Sequence, residues 1–199
     1  MTTARSFAFV AALTVPLLAV STAAHASSPT VTRIDDRFAS GTFSGPGVSG
    51  DLSLSTSSLY LQYTETLEGH CNRNVAVYGE GVDQAVAGRI QVGATAASLP
   101  ATEVPVFVAT TCYTPDGEYI PGSGVDRTVT GVLSVDVTGT GPTTRARPGG
   151  TIPGTVVHAG TITSTEAVAQ IALSAGDVQL QRSTDYASLR SVRQVVVEH

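Results

Sequence analysis

From Leu59 onward the chain is a succession of short runs in which apolar residues fall on every second position. A two-residue period places alternate side chains on opposite faces of an extended strand; a helix needs apolar residues three and four apart. In SSLYLQYTET (57–66), Leu59, Leu61 and Tyr63 share one face, and Tyr60, Gln62 and Thr64 the other. RNVAVYGEG repeats the pattern with Val75 and Val77, and GRIQVGA with Ile90 and Val92. EVPVFVATTCY aligns Val104, Val106, Val108, Thr110 and Cys112; RTVTGVLSVDVTG aligns Val129, Gly131, Leu133, Val135 and Val137. Further runs are TVVHAGTIT, EAVAQIALSAGDVQLQ and LRSVRQVVVEH, with RIDDRFASGTF a weaker one near the start.

No stretch after the first 26 residues shows a convincing helical period. STEAVAQIALSAG has good helix formers, but its Ala169, Ile171 and Leu173 also alternate, and the strand reading is preferred. Eight to ten short strands, punctuated by Gly, Pro and Ser at regular spacing, predict an all-β fold. The expected form is an antiparallel β-sandwich of immunoglobulin-like architecture.

Residues 1–26 stand apart. A positive start with Arg5 precedes an apolar run from Phe7 to Val20, and small residues end in Ala24-His25-Ala26. This is the pattern of a secretory signal cleaved after Ala26. The run is too short to cross a bilayer, and Pro16 interrupts it. The expected product is one secreted domain, residues 27–199, with no membrane attachment once the signal is removed. Net charge is −5 and there is no Lys. Such a chain lacks the dense cationic footprint that nucleic acid or an anionic membrane requires. It also excludes lysine Schiff-base chemistry. The Lys-free, Thr-, Gly- and Val-rich composition resembles that of exported proteins of high-GC bacteria.

Cys71 and Cys112 are the only cysteines. In an oxidising compartment an even pair predicts a disulfide, here expected to cross the sandwich with Cys112 pointing into the core. Closing that loop is worth roughly 4 kcal/mol in the chain-entropy model. His70 adjoins Cys71, but neighbours on a strand face opposite ways, so a thiolate–imidazole pair is not expected.

Other chemistries find little support. GPGVSG matches GxGxxG but precedes DLSLSTS, an alternating run, where a dinucleotide site needs a helix. CxxC, HExxH and GxSxG are absent. Asp116, Glu118 and Asp126 share a loop that could cage calcium, although PDG is an ordinary turn signal. No cofactor or metal is expected. Asp35 and Asp36 should diverge on a strand.

Two long segments read as loops, YTPDGEYIPGSGVDR (113–127) and GTGPTTRARPGGTIPG (139–154), and ASGTFSGPGVSG (39–50) reads as a flexible connection. The expected function is therefore non-catalytic binding of an extracellular protein or glycan. Its candidate loop residues are Tyr113, Asp116, Glu118, Tyr119, Arg145 and Arg147. One alternative is a protease inhibitor presenting Arg145 and Arg147. Another is a secreted hydrolase whose carboxylates meet only in the fold. A glycan binder should show exposed tyrosines, with Tyr60 and Tyr78 as outward candidates.

Overall fold

The computed structural model describes residues 30–147, 149–152 and 156–198. Residues 1–26, expected to be a secretory signal, lie outside them. Strand β1 (Thr30–Gly45) turns through Pro46-Gly47 into β2 (Val48–Ser55), and β3 (Leu59–Leu67) and β4 (Cys71–Val77) complete a meander. A short helix, α1 (Glu80–Val86), and the two-residue β5 (Gln91–Val92) lead into β6 (Ala96–Cys112), which pairs with β4. β7 (Val125–Ala146) follows, and β8 (Gly149–Ile152) continues its line. Both pair with β9 (Val156–Ala175), while β10 (Val178–Ser183) and β11 (Tyr186–Glu198) return along the other edge of β9. All pairings are antiparallel.

The all-β antiparallel expectation holds, but the two-sheet immunoglobulin-like sandwich does not. Pairing runs β1-β2-β3-β4-β6-β7-β9-β11 and back to β1, one ring of eight long strands. The physical cause is β11, long enough to pair with β9 and β1 at once, from Ala187 to Glu198. Joining the last strand to the first closes the ring over its paired core, leaving open edges only where β1 and β7 run past it.

The alternation decides what fills the ring. Leu54, Leu61, Val75, Val106, Leu133, Ile171 and Leu189 point inward and are buried. Eight strands enclose a space that side chains can fill, so the interior is a core. Burying each such side chain is worth about 1.5–3 kcal/mol. Several inward positions, Gly41, Gly50 and Gly131 among them, have no room for a side chain. A Cβ on Gly131 would lie 2.6 Å from Ala175 Cβ, and one on Gly50 would lie 2.5 Å from Gln62 O.

Two irregularities keep the inward face apolar. Leu99 pairs with Val135 and Thr102 with Leu133, so Pro100 and Ala101 form a bulge that shifts the inward parity of β6. Pro100 has no N–H to lose there. Between β10 and β11, Ala169 N donates to Thr184 Oγ1 at 2.8 Å, and Thr184 N donates to Ala169 O at 2.9 Å. The strand resumes with the opposite parity at Ala187 and Leu189.

Three local readings need correction. Residues 39–50 are two strands and a tight turn. Residues 139–146 belong to strand β7, and 149–152 are β8. Residues 80–86 are helical, which the sequence reading missed. Seven residues are too few to show a helical period, although Val82 and Val86, both buried, form an i, i+4 stripe. The STEAVAQIALSAG segment is strand, as expected.

The disulfide joins Cys71 to Cys112. It bridges directly opposed residues of neighbouring strands at one end of the barrel and is half-buried. The expected crossing between two sheets is thereby replaced by a clamp within one.

The strands differ in length, and this shapes the two ends. β2 pairs only with Phe38–Gly45 of β1, and β6 only reaches Thr138 of β7. β1, β11, β9 and the β7–β8 line therefore project beyond the barrel as a four-stranded overhang.

Candidate functional site

The inward rows of the overhang follow from register. Arg37 faces Ser191, Ser191 faces Thr163, and Thr163 faces Arg145. One step further out, Asp35 faces Arg193 and Arg193 faces Thr161. Apolar alternation ends at Leu189 and Ala167, and polar alternation takes over on the same face. Arg37, Arg145, Thr161, Thr163, Ser191 and Arg193 line a cavity of about 370 Å³ at this mouth.

The connection from α1 to β6 builds the floor. Thr165 Oγ1 donates to Ala94 O at 3.2 Å and is 2.8 Å from Thr143 Oγ1. Gly139 N donates to Thr95 O at 2.8 Å. Ala94 thus sits under the polar rows and also lines the cavity. Two of the three guanidiniums meet one carboxylate here. Arg193 Nε lies 3.4 Å and Arg37 Nε 3.7 Å from different oxygens of Asp35. Arg145 reaches only Thr161 Oγ1, at 3.4 Å. The concavity carries a positive excess in a chain whose net charge is −5, which favours capture of anionic groups.

The opposite mouth holds the disulfide and a second set of charges. Arg73 lies 3.8 Å from Glu65 and 3.7 Å from Asp177, and donates to Asp177 O at 3.2 Å. Arg127 is also paired with Asp177. The Asp177 carboxyl is held below its ordinary range, first by a backbone N–H and then by Arg127 and Arg73. Both carboxylates here are engaged by guanidiniums, Glu65 by Arg73 and Asp177 by Arg73 and Arg127. Nearby, the Tyr63 hydroxyl is buried without a hydrogen-bond partner. Burial, assisted by the charge of Glu65, pushes its pKa up.

The sequence-derived site residues are split between the ends. Tyr113, Asp116, Glu118 and Tyr119 lie in the loop between β6 and β7, at the disulfide end. That loop is compact: Thr114 N donates to Glu118 O at 2.8 Å, Ile120 N to Cys112 O at 3.0 Å, and Tyr113 bridges Tyr119. Asp126 belongs to β7, and among the described residues no three His, Cys, Asp or Glu side chains gather as a metal site. His70 is a hairpin residue with φ 60°, its carbonyl accepting from Tyr113 N. Arg145 is at the other end, in a strand ladder, and Arg147 follows the last residue of β7. Arg37, Arg193, Ser191, Thr161 and Thr163 were not foreseen as a site. The available signal was Arg33-x-Asp35-x-Arg37, a polar continuation of a two-residue period.

The outer wall carries one further feature. Tyr60 and Tyr78 stack with centroids 5.3 Å apart and planes 20° from parallel, and both are exposed. Tyr60 OH is fixed by a 2.6 Å bond to Gln62 Oε1. No family model, no curated protein and no solved structure matches the chain.

Proposed function

We propose that this chain is an exported, non-catalytic binding protein whose ligand presents anionic groups to the arginine-lined mouth. The observation that carries the reading is the excess of Arg37, Arg145 and Arg193 over Asp35 around one cavity. Guanidiniums suit carboxylate, sulfate or phosphate because their planar fork matches two oxygens at once. Export is supported by the leader pattern of residues 1–26 and by the disulfide. Among the described residues no helix is long and apolar enough to cross a membrane. Barrel architecture does not itself select a function.

Calorimetric titration of the protein with anionic and neutral oligomers tests the reading. Binding of the anionic set, lost in Arg37→Gln/Arg145→Gln, is expected; equal binding by that variant would refute it. A second reading, neutral glycan on the Tyr60–Tyr78 stack, draws on the exposed ring faces. It predicts loss of binding in Tyr78→Ala alone. The inhibitor reading is weakened because Arg145 is held in a ladder between strands, not on a protruding loop.

A further inference from the structure

Resting on the reading of the mouth as an anion site, we propose that its ligand is a saccharide chain bearing uronic acid carboxylates, and that Asp35 holds the place of the ligand's carboxylate in the free protein. Asp35 offers one oxygen to Arg37 Nε at 3.7 Å and the other to Arg193 Nε at 3.4 Å. Both separations exceed the roughly 2.7–2.9 Å of a charge-assisted hydrogen bond. The Asp35 side chain is 53% exposed and that of Arg193 64%. Exposed pairs of this kind contribute little, so an entering carboxylate can replace them with shorter, two-pronged contacts. The site thereby shows its own preference: the group already lying between two guanidiniums is a carboxylate.

The remaining lining selects the scaffold that carries it. Thr161, Thr163 and Ser191 interleave with the arginines. Hydroxyls both donate and accept, which suits the hydroxyls of a sugar. Among the described residues Ala94 is the only apolar side chain in the lining, a poor match to the apolar side chains of a peptide. Four adjacent strands spread the polar row over about 14 Å, wider than a lone anion needs.

The test is calorimetric titration of the exported protein with oligogalacturonate, a neutral galacto-oligosaccharide, inorganic sulfate and a poly-glutamate peptide. Wild type and Asp35→Asn are compared, with Asp35→Ser as a second variant and thermal melts as fold controls. We expect oligogalacturonate to bind the wild type, and to bind both variants about three- to tenfold more tightly, because a weak internal competitor has gone. Unchanged or weaker binding by folded variants overturns the role of Asp35 and leaves the mouth as an anion site. Tighter binding of sulfate or poly-glutamate than of oligogalacturonate overturns the saccharide class. Failure of every anion to bind wild type and variants overturns the underlying reading as well.

Discussion

The two mouths of the barrel use the same residue types to opposite ends. At the disulfide mouth, Arg73 and Arg127 are engaged by Glu65 and Asp177, and Arg73 also caps a backbone carbonyl. At the other, Arg37 and Arg193 share Asp35, and Arg145 reaches a threonine hydroxyl. A guanidinium whose charge is matched locally ties strands together; one left under-matched in a concavity is available to a ligand. The disulfide sits at the matched end, where the β4–β6 pair is clamped. The under-matched end has the long overhang and the cavity.

The largest effect is expected from Cys71→Ser/Cys112→Ser, which should cost about 4 kcal/mol in a denaturant titration. Anion binding at the far mouth should persist below the new midpoint; its loss would mean the ends are not independent. Next comes Arg73→Ala, which leaves Glu65 and part of Asp177 unmatched. A loss of about 1–3 kcal/mol is expected in the same assay, with no change in anion affinity.

Tyr63→Phe removes a buried hydroxyl that has no partner. Thermal melts should show it neutral or stabilised by about 1 kcal/mol at pH 7. Its pH dependence sharpens the point. The folded phenol has its pKa raised by burial, while the unfolded one ionises near pH 10. The unfolded state therefore loses its proton first, and wild-type stability should fall above about pH 10 relative to Tyr63→Phe. Asp177 works in the other direction. Its folded pKa is lowered, so its contribution is present at neutral pH and is lost as pH falls through the folded value. Melting temperatures of wild type and Asp177→Asn should converge in acid; a constant gap would show that the carboxylate charge is not what matters.

The smallest stability effect belongs to Arg37→Gln/Arg145→Gln. Surface substitutions of this kind should stay within about 0.5 kcal/mol by denaturant titration, yet remove anion binding. A large loss of stability would make these arginines structural and erase the contrast with Arg73.

Much of this was legible in the alternation. Leu59, Leu61 and Tyr63 face inward together, as do Val104, Val106 and Val108, and the two cysteines pair. Asp35 and Asp36 diverge as two neighbours on a strand must. Tyr60 and Tyr78 are outward, as their parity indicated. The GTGPTTRARPGG segment misled because Gly, Pro and Thr read as loop signals, while Thr143 and Arg145 in fact continue the inward parity of Val137 past an irregularity at Gly139. The C-terminal arginines could not be sorted from sequence either. Arg190 lies over the Phe38 ring at 5.6 Å on the outer wall, whereas Arg193, three residues on, lines the cavity.

What the sequence determined by itself was local: strand content, which face of each strand is apolar, and the pairing of the only two thiols. These depend on a two-residue period and on composition, both of which are readable along one dimension. What the tertiary structure decided was closure. Whether eight strands stack as two sheets or join into one ring depends on which strand meets the last one, and that partner, β1, lies about 150 residues away in the chain, as in the pairing of Ser40 with Ser188. The arginine-lined mouth exists only because the ring closes there, bringing Arg37, Arg145 and Arg193 from three distant strands to one concave face.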